Sequence, residues 1–141
     1  SETYRLAMAY QYMSMIQASV EASQKEYRGE NDLSTDDYIE YAIKYIQGNY
    51  ARVKIGDLAD YIGINRTYLA TIFKRKLCMS PQEYLMRVRM NKATELLCQT
   101  ELQINQVASN VGYDNALTFS KMFKKEYGIS PEAYRKKALE R

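Results

Sequence analysis

Two short stretches carry the side chains whose types and spacing could do chemistry. Read as helices, the first places Arg66, Thr67, Ala70, Thr71 and Lys74 on one face, and the second places Ala116, Leu117, Ser120, Lys121 and Lys124 on one face. Short hydroxyl and methyl groups flanked by cations are what a helix needs to read base edges in a major groove. Arg66 suits guanine O6 and N7, with Thr67 beside it, while Ala70, Ala116 and Leu117 suit thymine methyls. Asn115 either addresses adenine or serves purely as a helix cap. The long cations at the far ends, Lys74, Arg75 and Lys76 in one stretch and Lys124 and Lys125 in the other, are phosphate candidates. Phosphate contacts give affinity and base contacts give specificity.

These stretches belong to a repeat that must position them. Ile55-Gly-Asp-Leu58-Ala59-Asp-Tyr-Ile62-Gly63 is echoed by Ile104-Asn-Gln-Val107-Ala108-Ser-Asn-Val111-Gly112 at an offset of 49 residues. From Leu69/Phe119 and Phe73/Phe123 through Met79-Ser80-Pro81/Ile129-Ser130-Pro131 to Tyr84/Tyr134 the offset is 50, so one extra residue sits in the second turn. Apolar residues at i, i+3 and i+7 predict a short amphipathic helix in each copy. A glycine ends it, because a left-handed cap is cheap only for glycine. Asn65, and Asp114 or Asn115, are N-caps for the helix that follows. That second helix buries Leu69, Ile72 and Phe73, or Phe119, Met122 and Phe123, and leaves the polar, basic face outward. Each copy therefore reads as a helix-turn-helix. A helical solenoid would have repeats of roughly 20 to 47 residues and need about three copies for stability.

Charge follows the repeat. Residues 1–49 hold 4 Lys/Arg against 8 Asp/Glu, whereas residues 50–141 hold 16 against 9, so the net +3 conceals a change from −4 to +7. Such a concentration of cations suits a polyanion. The chain has no histidine, and its cysteines are Cys78 and Cys98. The commonest general base and the usual zinc ligand sets are thus missing, and no carboxylate pair stands out, so neither an enzyme nor a metal or cofactor is expected. Two lone cysteines in a helical chain read as small buried hydrophobes in a reducing compartment. No run of 18 apolar residues or secretory leader pattern occurs, which points to a soluble, cytoplasmic protein without a membrane partner.

Taken in order, residues 1–28 are expected to hold a dimerisation or docking helix, over about 4–27, with Leu6, Ala9, Met13, Ile16 and Val20 on one face and Tyr4, Met8, Tyr12 and Met15 on a second. It either pairs two chains, docks on another domain, or packs on the chain's own core. Residues 29–35 read as linker and 36–141 as the DNA-binding domain. Ser34 with Asp37 forms a capping-box start for a helix of about 36–48, on which Tyr38, Tyr41 and Tyr45 are expected to pack. The first helix-turn-helix spans about 54–76, a linking helix about 81–98, and the second helix-turn-helix about 103–127. The linking helix carries Met86, Met90, Ala93 and Leu97 on one stripe and should span about 30 Å. That approaches the roughly 34–36 Å of one B-DNA turn, so one chain could do what a helix-turn-helix dimer does. Tyr134 should pack under the second copy as Tyr84 does under the first, and Arg135, Lys136, Lys137 and Arg141 either touch phosphate or are solvated.

From about Asp36 to Lys137 the chain resembles the DNA-binding domain of the AraC/XylS transcription regulators. The likeness lies in both turns, in Phe73-Lys74-Arg75 and Phe123-Lys124-Lys125, in both Ser-Pro-x-x-Tyr endings, and in Gly112-Tyr113 through Arg135. It implies an all-α fold of about seven helices, two helix-turn-helix subdomains on a linking helix, with recognition helices in successive major grooves. Carried onto this chain, the family's recognition positions are Arg66, Thr67, Ala70 and Thr71, then Asn115, Ala116, Leu117, Thr118, Ser120 and Lys121. The resemblance further implies a regulator, acting as an activator beside RNA polymerase, of which this chain is a fragment; homodimerisation through residues 4–27 and an effector bound by a domain outside this chain belong to the same expectation. Thr71 stands where many members carry Arg, and Cys78 where Gly is usual, which implies fewer strong base contacts and a differently shaped turn before Ser80. The rival reading is a helical protein-interaction module without specific DNA binding.

Overall fold

Side-chain oxygens that accept from free backbone N–H groups set where most of the helices begin. The computed structural model describes residues 34–140, and among them seven α-helices and no strand. In α1 (Thr35–Asn49), the Ser34 hydroxyl accepts from the Asp37 N–H at 3.1 Å and the Asp37 carboxylate accepts from the Ser34 N–H at 2.9 Å. α2 (Ile55–Ile62) and α3 (Arg66–Leu77) form the first hairpin. α4 (Pro81–Gln99) connects it to α5 (Ile104–Asn110) and α6 (Ala116–Tyr127), and α7 (Pro131–Leu139) closes the chain. Asn65, Ser80, Asn115 and Ser130 cap α3, α4, α6 and α7. Proline opens α4 and α7, where its missing N–H costs little. The all-α fold of two helix-turn-helix hairpins on a linking helix is thus observed. The dimerisation or docking helix of residues 1–28 lies outside the described residues, and α1 begins at Thr35, within the stretch read as linker.

The apolar side chains divide into two cores. Ile39, Ile43 and Ile46 of α1, Leu58 of α2 and Leu69, Ile72 and Phe73 of α3 meet Tyr84, Leu85 and Val88 of α4. Val107 and Ala108 of α5 and Phe119, Phe123 and Tyr127 of α6 meet Met90, Ala93 and Leu97 of α4. At about 100° of rotation per residue, the two sets on α4 point to nearly opposite sides of the helix. The Met86, Met90, Ala93 and Leu97 stripe therefore exists, but it serves the second core alone. The repeat also holds in aromatic contacts: Tyr84 meets Phe73 edge-on at 6.0 Å, and Tyr134 meets Phe123 edge-on at 5.4 Å. Burial pushes the Tyr84 phenol above its ordinary pKa, and the hydrogen bond it accepts from the Gln47 amide at 2.9 Å pulls the other way. No helix among the described residues is long and apolar enough to cross a membrane.

Three expectations need correction. Tyr38 and Tyr45 pack against the first core, but Tyr41 is 60% exposed on the outer side of α1. Cys78 and Cys98 are exposed rather than buried. Cys98 follows Leu97 by one residue, which turns it out of the core. Cys78 ends α3 at φ 59° and ψ 25°, left-handed like Gly128 at φ 83° and ψ −11° after α6. The turn before Ser80 consequently has the same form as its glycine-containing counterpart, not a different one. What imposes it is the helix end: the Cys78 N–H donates to the Lys74 carbonyl, as the Gly128 N–H does to that of Lys124.

A side chain in this conformation costs about 1–2 kcal/mol, part of which glycine returns through its larger unfolded-state entropy. Cys78→Gly should therefore raise stability by about 0.5–1 kcal/mol, read as a higher urea or thermal midpoint, while Cys78→Ala should give no gain. Equal midpoints for the two variants would show that the left-handed turn carries no strain.

Candidate nucleic-acid interface

Each hairpin presents the outer side of its second helix. The Asn65 Oδ1 accepts from the Tyr68 N–H at 2.7 Å and starts α3 in a phase that turns Leu69, Ile72, Phe73 and Leu77 inward. Arg66, Thr67, Ala70, Thr71, Lys74 and Arg75 are left exposed. In α6, burial of Phe119, Phe123 and Tyr127 leaves Leu117, Thr118, Lys121, Lys124 and Lys125 exposed. Ala116 and Ser120 are half-buried at the edge of this face, and Ala116 touches the second core. Leu117, 63% exposed, is a large apolar group held in water.

The hydrogen bonds refine what individual groups can offer. Arg66 leans back over α2, where a side chain at Gly56 would collide with its guanidinium, so it reaches a base only by swinging out. The Thr71 hydroxyl donates to the Thr67 carbonyl at 2.8 Å and keeps only its acceptor capacity and methyl for a ligand. The Asn115 Oδ1 accepts from the Leu117 and Thr118 N–H groups at 2.7 and 3.3 Å. A bidentate pair with adenine would disturb that cap, and only the amide N–H groups remain for DNA.

Not every cation belongs to the open face. Lys76 follows Ile72 by one helical turn and points inward, where its Nζ lies 2.8 Å from Asp36 Oδ1. The Asp36 side chain is 1% exposed, so this pair is structural. Glu126, the matching position of α6, likewise turns in, toward Arg87 of α4 at 4.0 Å. Arg135 is no part of a solvated tail either, because its Nε donates to the Leu97 carbonyl at 3.0 Å and ties α7 to the end of α4. Lys136 and Lys137 remain exposed. One exposed group escaped the sequence reading: Tyr68 on α3, 40% exposed, occupies the position of Thr118 and stands edge-on to Tyr38 at 6.2 Å. The 50-residue offset from Thr118 was the available signal.

Comparison with known proteins bears on what this surface is for. The family model described as a helix-turn-helix domain matches residues 58–137. A solved AraC-type DNA-binding transcriptional regulator from Chromobacterium violaceum superposes with a TM-score of 0.67 at 27% identity, covering 72% of this chain and 91% of that one. The chain belongs to the AraC family. Members of the AraC family are DNA-binding transcription regulators and not enzymes, so the exposed faces of α3 and α6 belong to a DNA-binding domain. Among similar AraC-family proteins, the Msm operon regulatory protein of Streptococcus mutans is 31% identical over 132 residues, 93% of this chain and 48% of the relative. The lactose operon transcription activator of Staphylococcus xylosus is 35% identical over 131 residues, 92% of this chain and 46% of the relative. The chain therefore spans about half the length of these relatives.

Proposed function

We propose that this domain reads two successive major grooves of one operator with α3 and α6. The supporting observation is that two like hairpins present like faces on one helix of 19 residues, about 28 Å long against roughly 34–36 Å for a turn of B-DNA. In this reading Arg66, Thr67, Ala70 and Thr71 address one box. Ala116, Leu117, Thr118, Ser120 and Lys121 address the other, with Asn115 holding the start of α6 and offering its amide N–H groups. Lys74, Arg75, Lys124 and Lys125 hold phosphates, and Lys76 is withheld by Asp36. The regulator acts on the nucleoid as an activator, in keeping with the lactose operon activator among its relatives. RNA polymerase contact, pairing through residues 4–27 and effector control through a domain outside this chain complete the proposal.

Selection of bound sequences from random duplexes at two salt concentrations tests it. Two enriched boxes one helical turn apart are expected, with log K falling against log salt at a slope of about −3.6 if the four phosphates held by Lys74, Arg75, Lys124 and Lys125 are neutralised. Salt-sensitive binding without an enriched motif would leave a basic architectural domain, and absence of binding would favour a protein-interaction module. On the selected operator, Arg66→Ala should lose about 1–3 kcal/mol of discrimination at one base pair. Lys124→Ala should instead weaken all sequences alike. The same uniform loss in both variants would refute this division of labour.

A further inference from the structure

Arg89 lies on α4 between the two sides that serve the two cores. Its Nε donates to the Tyr50 carbonyl at 2.7 Å, in the connection from α1 to α2. Its guanidinium carbon stands 5.5 Å from the centre of the Tyr113 ring, in the turn between α5 and α6. One side chain thus grips the loop of the first half and the turn of the second. The backbone closes on the same point: a Cβ at Gly112, which has φ +105°, would sit 2.7 Å from the Ala51 carbonyl oxygen and 2.9 Å from the Arg89 guanidinium. Tyr50 packs against both cores. Burial raises the Tyr113 phenol above its ordinary pKa, against the pull of the neighbouring Arg89 charge, so the ring stays neutral and keeps a π face for the cation.

We infer that Arg89 is a positioning residue that sets the rotational phase between α3 and α6 and so fixes the DNA spacing the domain accepts. This rests on the two-groove reading proposed above. Each hairpin packs on its own side of α4, and the contacts described above that pass from one half to the other gather at Tyr50, Gly112 and Arg89. A planar guanidinium with a bond to one hairpin and a stack on the other couples them. An added base pair turns the second box by about 35° relative to the first. A coupled pair of helices cannot follow that turn without giving up one set of base contacts.

The test measures affinity of the full chain for the selected two-box operator and for versions with the spacer changed by one and two base pairs. For the unaltered protein, affinity should fall about tenfold or more on a one-pair change, the loss of one box's base contacts. Arg89→Ala, which removes no core side chain, should flatten this profile to a few-fold while single-base substitutions within each box keep their effects. Tyr113→Leu, which keeps apolar bulk beside Phe119 and removes the other hairpin's grip, should flatten it in the same way. A profile as steep in both variants as in the parent would overturn the role of Arg89 and leave double reading standing. A flat profile in the parent would overturn double reading, and the inference with it.

Discussion

Phe123→Ala will cost about 3–5 kcal/mol of stability, the range for a large ring removed from a closed core. Phe123 is fully buried and touches three other rings, Tyr127 at 4.6 Å, Tyr134 at 5.4 Å and Phe119 at 5.8 Å. These neighbours come from α6 and α7, each capped and tied to α4, so they cannot collapse into the space left. A loss of that size is a large fraction of the roughly 5–15 kcal/mol that holds a whole domain. Urea unfolding followed by circular dichroism should therefore show the second half melting early, with the Phe73 core still folded. A loss below about 1 kcal/mol would contradict the burial on which the expectation stands.

Lys76→Ala should act on stability and leave DNA binding nearly untouched. Removing one partner of a buried ion pair typically costs about 3–5 kcal/mol, because the other charge stays behind without it. Here the Lys76 side chain is 27% exposed, and water reaches that side of the pair, so about 2 kcal/mol is expected. Asp36→Asn should cost less, since the released lysine can turn to solvent while the buried Asp36 carboxylate cannot. The salt slope of binding should not change in Lys76→Ala, whereas Lys124→Ala should make it shallower by about 0.9. A shallower slope with unchanged stability in Lys76→Ala would return this lysine to the phosphate-binding set.

The local devices of the fold were legible in the sequence because they act over a few residues. Ser34 with Asp37, Asn65, Ser80-Pro81, Ser130-Pro131 and Gly63 all work where their residue types placed them. The inward stripes of α3 and α6 followed from their period, and so did the outward faces. What escaped depends on partners far along the chain. Nothing near Lys76 announces Asp36, 40 residues earlier, although its distance of four from Ile72 put it on the inner side. Arg135 finds the Leu97 carbonyl in the same way. Gly112 was readable as a helix end, but not as the point where the Ala51 carbonyl comes close. On α4 the Met86 to Leu97 stripe was visible and Tyr84 was placed under the first copy, while Leu85 and Val88 were not recognised as sharing that second buried side, because amphipathic periodicity assumes that a helix serves one core. Cys78 misled through composition: the residue is unusual there, but the carbonyl of Lys74 dictates the turn regardless.

The divided core makes each hairpin an exchangeable cassette. No side chain of α3 enters the second core and none of α6 enters the first, so substitutions on one reading face leave the packing of the other alone. After duplication, the two copies could drift toward different base sequences without a compensating change across α4. A hybrid carrying the outward residues of α6 on the inward residues of α3 should fold, and recognise a direct repeat.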